Sequence, residues 1–385
     1  MTQSLDQFAA RKLAEIDARN LRRGLLDTDR LEGAFAVRNG RRLISFCCND
    51  YLDLSHHPAL KKAATEAIER YGVGAGASRL VTGNHPLFAE LETRLARLKG
   101  TEAAVVFGSG YLANVGIIPC LVGPGDLLLA DELSHACLMA GGSLSRATHH
   151  TFRHNDLDDC AELLRQHRKS HERCLIVTDG VFSMDGNLAP VDELAELAEA
   201  NNVWLMTDDA HGIGVLGGGR GSSFLNGRRS AVPLQMGTLS KAIGVYGGYL
   251  CASEPVIELI RNRARSLIYS TGLPPAAVAA AIAALDLIET DPEWAASPVA
   301  KARLFARALN LPEPQSCIVP IIIGDEDAAL EASRNLEDQG YLVAAIRPPT
   351  VSEGTARLRF TFSAAHRDAD VERLADAVRG LGLAA

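Results

Sequence analysis

The sequence predicts an α/β fold: a large domain on a mostly parallel sheet with helices on both faces, then a smaller C-terminal α+β domain. Three observations predict it. From about residue 100 to 250, short β-rich runs alternate with helical patterns, which implies a parallel sheet covered by helices. The chain has 385 residues, too many for one ordinary core, so one large and one small domain is the natural division. After about residue 290 the alternation gives way to a different pattern that opens on prolines. The expected division is an N-terminal helical segment over 1–45, the large domain over 46–285 and the small domain over 286–385.

Taken in order, Leu5, Phe8, Ala9, Leu13 and Ile16 fall at helical spacing and predict a docking helix. Asp6, Glu15 and Asp17 interrupt this stretch and no apolar core follows, so it does not read as a signal peptide. In the large domain Ala104-Val105-Val106-Phe107, Leu127-Leu128-Leu129, Leu175-Ile176-Val177 and Val203-Trp204-Leu205-Met206 read as strands, with helices such as Asp192 to Ala200 between them. Such sheets bind ligands at the carboxyl ends of their strands, so the polar residues just after each run are the candidates. Ala276 to Leu285 is the most apolar stretch, but it is short, Ala-rich and closed by Asp286, a buried helix rather than a membrane span. In the small domain Pro312, Pro314 and the run Ile318 to Ile323 precede a helix over Asp327 to Gln339. A strand near Tyr341, a loop with Pro348-Pro349, a strand over Ala356 to Phe362 and a last helix from about Asp368 follow.

Composition is that of a globular protein, 47% hydrophobic and 22% charged. The net charge of -8 argues against nucleic acid or an anionic membrane as the main partner, since both favour basic surfaces. An anionic ligand would need a local pocket of N–H groups, Arg and Lys. The eight cysteines show no CxxC and no metal-ligand spacing with His, and Cys47 and Cys48 are sequence neighbours. They read as reduced, mostly buried thiols of a cytoplasmic protein. His56-His57 precedes Pro58 and reads as a helix start rather than a metal pair, so no metal is expected.

Three stretches carry chemistry. In Phe107-Gly108-Ser109-Gly110-Tyr111-Leu112-Ala113-Asn114 a strand ends, a Gly-rich turn follows and a helix starts, offering N–H groups and a helix dipole to an anion. The plain alternative is an ordinary strand-helix turn. In Thr207-Asp208-Asp209-Ala210-His211-Gly212 two carboxylates and a histidine follow a buried strand. A buried carboxylate needs a cationic partner, and a protonated pyridine nitrogen is one; a helix N-cap or a metal site are the alternatives. In Met236-Gly237-Thr238-Leu239-Ser240-Lys241 a lysine stands in a Gly-rich, otherwise uncharged stretch. Burial would lower its pKa and free a nucleophilic amine, against the alternative of a solvated surface lysine. The order of the three is more specific than any one of them.

The chain resembles the α-oxoamine synthases, pyridoxal-phosphate (PLP) enzymes of the aspartate-aminotransferase fold (fold type I). The resemblance runs over nearly the whole chain. It rests on Asn49-Asp50-Tyr51-Leu52, Leu54-Ser55-His56-His57-Pro58, Ser134-His135-Ala136, Gly180-Val181-Phe182-Ser183-Met184-Asp185-Gly186, Asp208-Asp209-Ala210-His211-Gly212, Ile268-Tyr269-Ser270-Thr271 and Ala345-Ile346-Arg347-Pro348-Pro349-Thr350. It implies that Lys241 holds the cofactor as a Schiff base. Asp208 pairs with the pyridinium nitrogen, His211 and Ser183 lie near the phenolic oxygen, and His135 stacks on the ring. Gly110, Tyr111 and Thr238 lie at the phosphate. Ser270 and Thr271 reach the phosphate of a neighbouring subunit, because family sites lie at a homodimer interface. Arg22, Asn49, His135, Arg347, Thr350 and Arg359 face the substrates, Arg359 gripping the amino-acid carboxylate with two parallel bonds.

Without the resemblance, His135 reads as a core histidine in a polar loop, Arg22 beside Arg23 as solvated surface, Arg347 and Arg359 as cover for a sheet edge, and Asp209 as structural. The family often has His after Thr82-Gly83, where this chain has Phe88, with His85 earlier. The resemblance implies a decarboxylative Claisen-type condensation of an amino acid with an acyl thioester, Lys241 acting as general base. The Arg347-Pro348-Pro349-Thr350 stretch points to the biotin branch, hence to L-alanine and a pimeloyl thioester, of coenzyme A or an acyl carrier protein. Another member using glycine or serine, an aminotransferase, or a PLP-binding subunit without activity are the alternatives. Arg347 is expected to meet the far carboxylate of a dicarboxylic acyl chain.

Overall fold

The computed structural model describes residues 4–19 and 21–383. Two compact units divide the chain: Asn49–Ala300 with Gln315–Cys317 form the larger, and the chain up to Cys48, Lys301–Pro314 and the chain from Ile318 form the smaller. Leu5–Asp17 is a helix. Its Ser4 cap accepts from Gln7 N at 3.2 Å, and the Gln7 side chain returns to Ser4 N at 3.1 Å. Within this chain no residue of the helix is buried, and Leu5 is 80% exposed. Lys12 also pairs with Glu15 along its exposed face, at 2.7 Å. In the same unit β1 (Asp29–Arg30), β2 (Phe35–Arg38) and β3 (Arg41–Ser45) form an antiparallel ribbon.

The larger unit holds seven strands: β4 (Ala103–Phe107), β5 (Leu127–Asp131), β6 (Thr148–Phe152), β7 (Cys174–Asp179), β8 (Trp204–Asp208), β9 (Leu234–Thr238) and β10 (Gly248–Ala252). They make one sheet in the order β4-β10-β9-β8-β7-β5-β6. From β9 to β6 every neighbouring pair is parallel, and β10 runs against both β4 and β9. Every residue of β4, β5, β7, β9 and β10 is buried, as their unbroken apolar runs require of strands covered on both faces.

Alternate residues of one strand enter two separate cores, because successive side chains point to opposite faces. Leu128, Ala130, Leu175, Val177 and Met206 pack with Ala113, Ile117 and Ile118 of the helix Gly110–Leu121. Leu127, Leu129, Cys174, Ile176 and Leu205 pack with Cys160 and Leu164 of Leu157–His167 and with Leu194 and Ala198 of Val191–Ala200. The boundary expected between 285 and 286 falls inside the continuous helix Pro275–Thr290. No helix among the described residues is long and apolar enough to cross a membrane.

The rest of the smaller unit contributes β11 (Ile318–Gly324), β12 (Tyr341–Leu342), β13 (Ala344–Ile346) and β14 (Ala356–Thr361). β11, β14 and β13 form an antiparallel sheet in that order, while β12 joins β3 in parallel. Helices Glu326–Asp338 and Asp368–Gly380 send Leu336 and Leu374 into a core with Phe305, Leu358, Phe360 and Phe362.

Candidate active site

The parallel strands deliver their polar residues to one edge of the sheet. At β4 the chain turns through Gly108 and Ser109, and Ser109 Oγ caps the helix Gly110–Leu121 by accepting from Leu112 N at 3.1 Å. This turn lies hard against its neighbours. A Cβ on Gly110 would stand 3.3 Å from Met236 and 3.4 Å from Thr238, and one on Gly248 would stand 2.5 Å from the Ser109 carbonyl oxygen. Thr238, the last residue of β9, donates from Oγ1 to Gly247 O at 2.7 Å and lies 2.8 Å from Ser240 Oγ. Helix N–H groups and hydroxyls thus converge where an anion can be held. Tyr111 is 54% exposed beside it.

Two buried carboxyl groups stand side by side next to this cradle. Asp208 ends β8, Asp179 ends β7, and they are register partners. Asp208 Oδ2 accepts from Asn114 Nδ2 at 2.7 Å and Oδ1 accepts from Ala210 N at 3.0 Å. Asn114 is buried and its Oδ1 has no partner, a polar atom left over in the wall of the site. Asp179 Oδ2 accepts from His135 N at 2.7 Å. Burial, with the Asp208 charge second, pushes the Asp179 carboxyl well above the usual carboxylate range. Asp209 takes the other direction. It meets Lys99 Nζ at 2.8 Å, both side chains fully buried, and accepts from Ser222 N at 3.0 Å. The two adjacent aspartates therefore serve different neighbourhoods.

His135 caps the helix Ala136–Ser145, its Nδ1 accepting from Cys137 N at 3.2 Å. An accepting Nδ1 puts the ring proton of the neutral imidazole on Nε2. Burial pulls the His135 pKa down, Asp208 opposes this and Lys241 adds to it, so the ring is neutral at pH 7. Cys137 Sγ lies 2.8 Å from His135 Nδ1 and 3.0 Å from Asn114 Nδ2, and burial with the Asp208 charge pushes its thiol up to about 12. His211 is buried, with Nδ1 2.6 Å from Tyr51 Oη, which lies 3.3 Å from Asn49 Oδ1. Ser183 is half-buried in the turn after β7, which Gly186 N closes onto Phe182 O at 2.8 Å. Lys241 is half-buried three residues past β9, in a turn closed by Gly244 N onto its carbonyl at 2.8 Å. Its charge is felt at His135, Asp179 and Cys137.

The other expected residues are placed as follows. Thr271 bridges to Ser78, Gly272 N donates to Ala77 O at 3.0 Å, and Ser270 is half-buried beside them. Phe88 is fully buried under the Arg79 guanidinium, 4.0 Å from the ring centre, with the His85 ring at 4.5 Å. Arg22, Arg347, Thr350 and Arg359 belong to the smaller unit. There Arg22 pairs with Asp17 at 2.8 Å, and it is Arg23 that donates to Thr350 Oγ1, at 3.1 Å. Thr350 N donates to Arg347 O at 3.1 Å, and Arg359 is buried on β14.

Sequence reasoning passed over Asn114, Cys137, Asp179 and Tyr51. Asn114 carried a readable signal: it stands one helical turn past Gly110, on the same face. Asp179 carried another, since it ends a buried run as Asp208 does. Together the site offers an anion cradle, a buried carboxylate beside an orphaned amide oxygen, a neutral imidazole and a lysine amine. That donor set fits pyridoxal phosphate: phosphate on the cradle, a cationic ring nitrogen at Asp208, and an aldehyde carbon for Lys241.

Comparison with known proteins agrees with this reading. The aminotransferase class I and II family matches residues 41–378. The chain is 60% identical over 378 residues to the 8-amino-7-oxononanoate synthase of Beijerinckia indica subsp. indica, covering 98% of each chain. It is similar to the serine palmitoyltransferase of S. paucimobilis solved with bound PLP-myriocin, at 28% identity and a TM-score of 0.91 over 99% of this chain and 100% of that one. It is also similar to the 8-amino-7-oxononanoate synthase of Francisella tularensis, at 27% identity and a TM-score of 0.75, covering 88% and 97%.

Proposed function

The chain belongs to the aminotransferase class I and II family and, within it, to the 8-amino-7-oxononanoate synthases of biotin biosynthesis, and from that premise we propose that it condenses L-alanine with a pimeloyl thioester. Carbon dioxide and the free thiol carrier, coenzyme A or an acyl carrier protein, are the other products. The enzyme works with pyridoxal phosphate. When bound, this cofactor supplies an electron sink for the carbanion formed at the amino-acid Cα.

The observation that carries the reading is Asp208, a buried carboxylate oriented by Asn114 and by Ala210 N at the end of β8, with Lys241 half-buried three residues past the neighbouring strand β9. Asp208 gives the ring nitrogen a buried anion and so keeps it protonated. Lys241 Nζ would hold the cofactor, and its free amine would take the proton from the amino-acid Cα. His135, in its neutral form, would cover one ring face and leave the Asp208 charge to the nitrogen. Gly110, Tyr111 and Thr238 hold the phosphate. His211, steadied by Tyr51, and Ser183 meet the phenolic oxygen. We assign Arg359 to the amino-acid carboxylate, Arg347 to the far carboxylate of the acyl chain, and Arg22, Asn49 and Thr350 to the substrates, all on the resemblance.

A homodimer completes this reading, with Ser270 and Thr271 serving the partner's phosphate. Large apolar side chains left exposed on the larger unit support it: Val73, Leu80, Val81, Tyr246 and Tyr269 are each more than half exposed. Six of the eight free cysteines are buried, which supports a reducing compartment, the cytoplasm. The higher TM-score to a serine palmitoyltransferase keeps a second amino-acid donor in view. One assay separates the two: thiol and carbon dioxide release followed together, with L-alanine and pimeloyl-CoA beside serine or glycine and other acyl-CoA donors. Equal release of both products with the first pair is expected, and release only with the others would move the chain to another branch.

A further inference from the structure

Asp179 has no part in the scheme above, yet it touches the scheme at two points. We propose that Asp179 is a positioning residue of the cofactor site, holding His135 through its backbone N–H as the neutral, protonated member of a buried carboxyl pair with Asp208. The proposal rests on the roles given to Asp208 and His135.

The geometry carries both parts. Asp179 and Asp208 end adjacent parallel strands in register, so their side chains leave the same face of the sheet, and both are buried, at 3% and 4% exposure. Two neighbouring buried carboxyls do not both ionise readily, and one keeps a proton. The donors decide which. Asp208 accepts from Asn114 Nδ2 at 2.7 Å and from Ala210 N at 3.0 Å, and each bond favours its charged form. Asp179 accepts from His135 N at 2.7 Å. Burial and the Asp208 charge both act to keep a proton on Asp179, and Asp131 adds weakly to them. Lys241 and the His135 N–H act against them, and rank behind burial and Asp208. A neutral Asp179 still accepts the His135 bond while leaving the site one negative charge, matched to one cationic ring nitrogen. The same bond fixes His135 at the start of its helix, where its ring is turned by Cys137 N.

The test uses the holoenzyme and three variants: Asp179→Asn, Asp179→Ala and Asp208→Asn. Infrared difference spectra between wild type and Asp179→Asn at pH 7 should contain the carbonyl stretch of one protonated carboxyl group. Asp179→Asn keeps an uncharged acceptor and should bind PLP within about threefold of wild type. Asp179→Ala leaves a buried N–H unpaired and should bind PLP about tenfold more weakly or worse, with kcat lowered more than KM is changed. Absence of the carboxyl band, or Asp179→Asn binding as weakly as Asp179→Ala, overturns the neutral pair. Wild-type PLP binding by Asp179→Ala overturns the positioning role. Should Asp179→Ala fail to fold, the band and the PLP affinity of Asp179→Asn still decide the matter. Asp208→Asn separates the levels: if it loses affinity while the Asp179 variants do not, only this proposal falls. If it binds PLP as wild type does, the reading of the site falls and the proposal with it.

Discussion

Lys99→Met should be among the most destabilising single changes in the larger unit. Lys99 is the last residue of the helix Leu87–Lys99, a place where a lysine head normally reaches water. Here it is fully buried, 2.8 Å from Asp209, and Nζ also donates to Arg220 O at 2.6 Å. Asp209 in turn accepts from Ser222 N at 3.0 Å, so one ion pair pins both ends of the segment 209–222, which carries His211. Space there is already used up: a Cβ on Gly212 would stand 2.1 Å from Asp209 Oδ1. Removing the cation leaves a buried, uncompensated carboxylate. Breaking one side of such a pair costs about 3–5 kcal/mol, because the desolvation remains and the attraction is gone. In thermal unfolding this is a fall on the order of 5–10 °C. Lys99→Met with Asp209→Asn removes both charges and should recover more than half of the loss, a coupling that a double-mutant cycle reads directly. Denaturant unfolding of the four proteins measures it. A single Lys99→Met variant within ~1 kcal/mol of wild type would refute the reasoning.

Asn114→Ala takes the shortest of three donors from Asp208, the others being Ala210 N and the Cys137 thiol, and should weaken PLP binding by about tenfold in an absorbance titration; unchanged affinity would deny that Asn114 orients the carboxylate. Gly248→Ala sets a methyl 2.5 Å from the Ser109 carbonyl and should cost at least ~2 kcal/mol in denaturant unfolding, together with PLP retention. His366 supplies a pH test in the smaller unit. Burial lowers its pKa to about 4, its Nδ1 accepting from Ser363 N at 2.8 Å and Nε2 lying 3.0 Å from Ser45 O. The folded value lies below the ordinary value of about 6.5, so the unfolded chain takes up the proton first. Stability from this group is complete above pH ~6.5 and falls by ~3 kcal/mol as pH drops towards 4. Equilibrium unfolding across that range should show the loss in wild type and not in His366→Gln, and equal slopes would contradict it.

Strands and helices were legible because the large sheet is buried on both faces, so runs such as Leu127-Leu128-Leu129 stand out against their flanks. The edge carrying the chemistry was legible for the same reason, since Thr238 and Asp208 close such runs. The N-terminal helix shows the limit of periodicity. The stripe Leu5, Phe8, Leu13 and Ile16 predicts a face, and the helix forms, but nothing in that spacing says what covers it. The division of the chain was harder still, because the smaller unit is assembled from the chain up to Cys48 and from segments beyond residue 300. Within the site, chemistry carried by sequence order was readable and chemistry carried by contact was not. Asn114, Cys137 and Asp179 act through partners as many as 94 residues away, and position along the chain does not name those partners. Lys99 was likewise given no role from the sequence. At the end of an amphipathic helix it reads as solvated, and only the fold shows Asp209 beside it.

One covalent attachment, of the cofactor to Lys241, is central to the chemistry proposed for this site. Holoenzyme reduced with borohydride, digested and mapped by mass spectrometry would locate the lysine that carries the cofactor. A pyridoxyl group is expected on the peptide containing Lys241, on no other lysine, and none in Lys241→Ala. The group on a different lysine, or undiminished labelling of Lys241→Ala, would contradict it.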